Sequence, residues 1–390
     1  LLLGWTCAAD LQAARLQLTP GLTLEERYND NIYFDYDSDD EVDDSITLAT
    51  PELKLSSLTE RLDASVLSRV TAVRYRDEHD LNATDQSHSG RIRYRLSERW
   101  QGALEAGYSR DSQPDRDIEV SGLVLGTNKR AHTHYGASTD YTFTEKLSSS
   151  VSYSYDEDDF KEDDRYDSDT TDSSAQNASM IVSHDMGDLI ANTVGQLSLG
   201  YARYDYPDER IVNYSAMAGG QYTLSEVFSL TASVGRYYSR SRFEYDLPFL
   251  SLDETSRSRG NLGQMVLAYH GERATADLGL YHDIRGMSGR VGAAKRSSLR
   301  LNLGYGLSAE LWGGLTAEYY TNKANAGQLS PDEVDETTMS VQSRLRYKIT
   351  EDLSVEAGYR FVQTTDREDD ETGRQSVYSL RGVWRYPMPR

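Results

Sequence analysis

The sequence predicts an all-β protein: a single transmembrane antiparallel up-and-down β-barrel of about 18 strands (16 to 18), with short periplasmic turns and long acidic extracellular loops. Three observations predict it. Large apolar residues alternate with polar ones over long stretches, a short turn built around Glu recurs about every 40 residues, and the connections between those turns are rich in acids. Period-two alternation gives a strand one apolar and one polar face. Short turns at one end with longer polar loops at the other form the asymmetry of an outer-membrane barrel.

Composition excludes the simpler classes. The chain has 390 residues, a net charge of -22, one cysteine, and 28 Tyr against 7 Phe; its mean hydropathy is -0.65. No run of 18 apolar residues occurs, so the sequence offers no transmembrane helix. High charge with low hydropathy would suit a disordered chain, but disorder gives no reason to keep a regular alternation. The acidic balance disfavours nucleic acid as a partner.

The opening "LLLGWTCAAD" reads as the tail of an apolar export segment, with small residues before a cut between Ala8 and Asp10. Residues 1–9 are thus expected to be a signal-peptide remnant and 10–390 the barrel. Cys7 falls inside the leader, leaving a mature chain that needs no disulfide.

Alternation is clearest toward the C-terminus. Leu353, Val355, Ala357, Tyr359 and Phe361 share one face against Ser354, Glu356, Gly358 and Arg360; Leu299, Leu301, Leu303, Tyr305 and Leu307 do the same against Ser298, Arg300, Asn302, Gly304 and Gly306. The turns read "LTERLD" (58–63), "LSERWQ" (96–101), "FTEKLS" (143–148), "LSEVFS" (224–229), "SAELWG" (308–313) and "ITEDLS" (349–354), with looser versions at 184–193 and 270–275. Acidic connections lie between them at 35–44, 156–172, 331–336 and 366–371. Together these signals place strands at 20–34, 45–56, 61–77, 86–97, 100–111, 127–143, 147–157, 173–184 and 193–206. The second half follows at 210–224, 228–245, 256–269, 274–285, 296–308, 312–323, 337–349, 353–366 and 375–386. Leu67 and Val266 fall on the polar face of the third and twelfth strands, which predicts a bulge there or a count off by two.

In hydrocarbon every backbone amide needs a partner, so a sheet crosses a bilayer only by closing on itself. Tyr108, Tyr153, Tyr201, Tyr305, Tyr359 and Tyr386 suit the outward rims, ring in lipid and hydroxyl at the headgroups. The expected location is the outer membrane of a Gram-negative cell, with its lipid and lipopolysaccharide as surroundings.

"LTPGLTLEERYNDNIYF" (18–34), with its aromatic-asparagine "YNDN", together with the "LSE"-type turns, resembles the beta-barrel porin type 2 group of outer-membrane proteins, including exopolysaccharide- and exosortase-associated barrels. The resemblance implies a conduit for a surface polysaccharide, working with periplasmic or inner-membrane export components. One departure is the C-terminus, where Trp384 and Tyr386 are followed by "PMPR" instead of ending on an aromatic residue.

Phasing places Arg91, Arg93, Arg95, Arg300, Arg344, Arg346, Lys348, Arg360, Arg381 and Arg385 on the inward face, most of them close to a short turn or the C-terminus. A cationic arc in a pore selects for anions, and guanidinium groups suit the carboxylates of acidic sugars. Alternatively, these residues pair with inward acids such as Glu105, Glu318 and Glu356 and balance the wall. The acidic loops read as solvated, self-repelling segments; none has calcium-loop spacing, and no metal or cofactor is expected. No G-x-S-x-G elbow or H-E-x-x-H occurs, and His132 and His134 on one strand face lack a third ligand, so no catalytic residue is assigned. The alternatives to polysaccharide export are a general diffusion or nutrient porin, or a sleeve for a partner such as a multihaem cytochrome.

Overall fold

Eighteen antiparallel strands close into one barrel in a computed structural model that describes residues 15–39, 41–112, 129–161, 171–247, 250–287, 291–331 and 333–386. The leader segment 1–9 and residues 162–170 of the long acidic run lie outside them. In chain order the strands are β1 Arg15–Asn29, β2 Asp44–Leu58, β3 Leu62–Tyr75, β4 Ala83–Arg95, β5 Trp100–Asp111, β6 Lys129–Thr144, β7 Leu147–Lys161, β8 Ser173–Asp185 and β9 Thr193–Asp205. They continue as β10 Glu209–Thr223, β11 Phe228–Leu247, β12 Leu250–His270, β13 Ala274–Gly286, β14 Ala293–Gly306, β15 Leu311–Ala324, β16 Val334–Lys348, β17 Leu353–Asp366 and β18 Glu371–Arg385. Each strand pairs with its sequence neighbours, and β1 closes the ring against β18 from Gly21↔Arg385 to Asn29↔Val377.

The outward face is greasy. Leu22, Leu24, Ile92, Leu104, Leu199, Leu280, Leu299, Leu345 and Leu380 are all exposed on it, as a lipid-facing wall requires. Glu52, Glu105, Glu318 and Glu356 alternate onto the other face.

The recurrent turn owes its form to a hydroxyl more than to its Glu. Thr59 Oγ1 accepts from the Leu62 N–H at 2.9 Å, Thr144 from Leu147 at 3.1 Å, Ser225 from Phe228 at 3.1 Å, Ser308 from Leu311 at 3.0 Å and Thr350 from Leu353 at 3.1 Å. A side-chain acceptor two or three residues before the returning strand takes the place of a backbone turn bond.

Four expectations need correction. The first strand spans Arg15–Asn29, not 20–34; Tyr33 and Phe34 belong to a loop that turns into the barrel. Neither β3 nor β12 carries a bulge: Leu67 and Val266 simply point inward in an unbroken register. Among the described pairings the register shift falls instead between Thr142 and Thr144. Finally, the acidic run 366–371 is no long loop, because β17 ends at Asp366 and β18 begins at Glu371.

Two segments of the chain turn into the extracellular half of the lumen. After β1, Asn31, Ile32 and Phe34 are buried. Ile32 packs with Ile46, Leu48, Val73 and Tyr75, while Phe34 packs on Val362 across the barrel seam. Asn31 donates to the carbonyls of Asp35 and Arg374 at 2.9 and 3.0 Å, and Gln375 donates back to the Asn31 carbonyl at 2.7 Å. Each buried apolar side chain of this size contributes about 1.5–3 kcal/mol.

A second inward segment comes from β13 and β14. β12 pairs with β13 only from Gly263↔His282 to His270↔Thr275, although β12 continues beside β11 as far as Leu250. Above that point the β13–β14 hairpin leans into the barrel and packs on the β9–β10 turn. Ala293 and Ile211 are fully buried against Tyr206, although three strand spacings separate β10 from β13 along the wall. The loop between β15 and β16 completes this layer: Leu329 packs with Met287, Ala294 and Val334, and its carbonyl accepts the Ala293 N–H at 2.6 Å.

Candidate functional site

The lumen walls carry the chemistry, and the pairing register decides which side chains reach them. In β4, Ile92 and Tyr94 face lipid, so Arg91, Arg93 and Arg95 face inward. The same alternation against Leu299, Leu345, Tyr347, Leu380 and Trp384 turns Arg300, Arg344, Arg346, Lys348, Arg360, Arg381 and Arg385 inward.

Many of these cations are held by acids. Arg91 meets Glu105 at 2.5 Å, Arg300 meets Glu318 at 2.8 Å, and Arg346 and Arg381 share Glu356 at 2.5 and 2.9 Å. Glu52, on β2, is clasped between Arg69 at 3.0 Å and Arg385, tying β3 and β18 together around the β1 seam. Glu318 also takes the buried Arg296 at 2.9 Å, whose guanidinium lies 3.6 Å from the Tyr320 ring centroid. Arg360 donates to the Gln375 amide oxygen at 3.0 Å. Arg93, Arg95, Arg344 and Lys348 have no acidic partner among the described residues and are exposed on the inner wall. The inward basic set thus divides into cations neutralised in the wall and cations facing the water of the lumen.

Sequence phasing missed Arg27, Lys54 and Arg69. Arg27 pairs with Glu25 at 3.0 Å, and Lys54 and Arg69 line the periplasmic vestibule. The signal was the same alternation, lost because the first strand was placed too late and the inward Leu67 obscured the phase of the third.

Among the spaces left inside, two bear on the path. A periplasmic vestibule of about 1070 Å³ is bordered by Lys54, Arg69, Arg91, Glu105, Lys348 and Arg385. A smaller cavity of about 380 Å³ lies beneath the leaning hairpin, bordered by Asn213, Tyr237, Leu262, Gln264, Asp283 and Ile284. Both amide atoms of the buried Asn213 and the Tyr237 hydroxyl have no protein partner there.

His132 and His134 form pairs rather than a metal centre. Their Nδ1 atoms lie 2.8 Å from Asp158 and 2.6 Å from Asp156, and no group of three or more metal-binding side chains assembles among the described residues.

A closed barrel with an apolar outside, a charged inside and both strand ends next to the short turns is an outer-membrane channel. The chain resides in the cell outer membrane. No protein-family model matches the sequence, and no curated protein matches it. Solved structures similar to it include OccAB4 of Acinetobacter baumannii, 9% identical over 96% of this chain and 99% of that one, with a TM-score of 0.48. OpdK of Pseudomonas aeruginosa, crystallised with vanillate, is 11% identical over 95% and 99%, with a TM-score of 0.47. The Pseudomonas aeruginosa siderophore receptor PirA is 14% identical over 95% and 80%, with a TM-score of 0.48.

Proposed function

We propose that the barrel is a diffusion porin for small polar solutes, with a preference for anions set by Arg93, Arg95, Arg344 and Lys348. The observation that carries this reading is the packing of the chain's own segments into the extracellular half of the lumen. Ile32, Phe34 and the β13–β14 hairpin are buried there as tightly as a domain core, which narrows the path. A surface polysaccharide would need a continuous wide lumen, and a folded partner such as a cytochrome would need the same space. The export reading rests on the sequence resemblance, and the packed outer half counts against it.

Anion preference follows from fixed charge. Seven arginines share Glu52, Glu105, Glu318 and Glu356 and are only partly neutralised there, and the unpaired cations add to the positive potential of the conduit. Reversal potential in a planar bilayer under a salt gradient tests this, with small acidic and neutral sugars added from each side. The reading requires anion selectivity and concentration-dependent block by small acidic sugars. A cation-selective pore, or one indifferent to both sugars, contradicts it.

A further inference from the structure

The outward face of β9–β12 carries a patch that the channel does not use. On these strands the lipid-facing rows run up from Phe228, Leu230 and Val234 on β11 and from Tyr269, Leu267 and Met265 on β12. Continuing in the same phase, they reach Arg236 and Arg240 on β11 and Arg257 and Arg259 on β12, all exposed. Arg203 of β9 and Arg210 of β10 stand beside them on the same face. From Phe228 to Arg236 the climb along a tilted strand is about 20 Å, so the arginines begin near the upper edge of the apolar band. Tyr201, Tyr214 and Tyr238 mark that edge, with the first two rings 5.5 Å apart.

The arrangement is costly without an anion. Arg240 and Arg257 sit directly opposite each other in the ladder, a position where like charges destabilise a sheet. Asp205, the acid beside the patch, is already shared at 2.6 Å by Arg203 and Arg210. Arg259 lies over the Tyr238 ring, 5.5 Å from its centroid. Arg236, Arg240 and Arg257 have no acidic partner among the described residues. This concentration stands out on a chain whose net charge is -22.

We infer that this face binds the phosphates of a phosphorylated glycolipid of the outer leaflet. Guanidinium forks match phosphate oxygens in paired hydrogen bonds, and a phosphate between Arg240 and Arg257 turns their repulsion into a bridge. The acyl chains of the same lipid would lie below, along Val234, Ala216 and Leu199. The height and the face favour a lipid headgroup over a soluble anion, which would reach the lumen instead.

The test uses the full-length barrel refolded in detergent, with lipid retention read by native mass spectrometry. The probes are diphosphorylated lipid A, the same lipid A stripped of its phosphates, and phosphatidylglycerol. Retention of the diphosphorylated form at least tenfold above the other two is expected. The triple variant R236S/R240S/R257S loses that preference, while R236K/R240K/R257K keeps part of it, because charge remains but the fork is lost. If the serine variant does not refold, the lysine variant and the three lipids on the unaltered barrel decide. Equal retention of phosphorylated and stripped lipid A, or of lipid A and phosphatidylglycerol, overturns the site. So does a folded serine variant that still prefers the diphosphorylated lipid.

Discussion

Tyr206 and Gly292, far apart in sequence, are joined by a 2.6 Å hydrogen bond in which the buried phenol donates to the glycine carbonyl. The same oxygen accepts the Met287 N–H at 3.2 Å. One side chain from the β9–β10 turn therefore closes both ends of the segment that the β13–β14 hairpin leans into the lumen. Replacing it with Phe removes these contacts while the Met287 N–H keeps the Gly292 carbonyl at 3.0 Å, at a cost of about 0.5–1.5 kcal/mol. Tyr206→Phe is expected to raise single-channel conductance and open-channel noise without lowering the yield of folded barrel.

The same latch predicts a pH response. Burial pushes the Tyr206 phenol above the ordinary tyrosine value of 10.0. A released, hydrated phenol ionises near that ordinary value, so the latch contributes fully below it and is drawn open above it. Conductance should rise beyond about pH 10; Tyr206→Phe should abolish that rise.

Asp44, where the loop carrying Ile32 and Phe34 rejoins the wall, holds the connection between β3 and β4. Its carboxylate is almost wholly buried and accepts the backbone N–H groups of Arg76, Asp77 and Glu78 at 3.1, 3.2 and 2.9 Å. Asp44→Ala strands the Asp77 and Glu78 donors, while Arg76 keeps the Ser45 carbonyl at 3.0 Å, and is expected to speed amide hydrogen exchange at residues 77 and 78 by about tenfold or more. Asp44→Asn, which keeps one acceptor oxygen, should fall between.

Paired and unpaired lumen cations should respond differently to removal. Changing both Arg344 and Lys348 to Ser deletes charge that nothing neutralises and should shift the reversal potential clearly toward cations. Arg381→Ser should shift it less, because Glu356 retains Arg346. Glu52→Gln runs the other way: it frees Arg69 and Arg385, so anion selectivity should rise while the seam between β2, β3 and β18 weakens.

Much of the barrel was legible because a lipid-facing strand writes its orientation into every second residue. The stretch 353–366 is one strand in both readings, and the inward phase of Arg344 and Arg346 follows from Leu345 and Tyr347 alone. What failed did so where apolar residues face inward. Ile32 and Phe34 alternate like a strand yet fill the lumen, Leu67 points into the vestibule, and Val266 lines the wall. The acids were read as a solvated collar, yet Asp44 is a buried anchor and Glu336 is buried on the inner wall. A linear pattern records which face a residue occupies; it does not record that a loop returns to cover that face. The ion pairs with Glu105, Glu318 and Glu356 were anticipated as alternatives, but choosing between paired and free cations needed the register.

The chain's own segments narrow the extracellular half of the lumen while the periplasmic half stays wide. Polymer exclusion in a planar bilayer tests it most directly, adding neutral polymers of graded size to one side at a time and recording single-channel conductance. Asymmetry is expected: only the smallest polymers lower conductance from the extracellular side, whereas larger ones enter the vestibule from the periplasmic side. Large polymers entering equally from both sides would show a wide continuous lumen and contradict it.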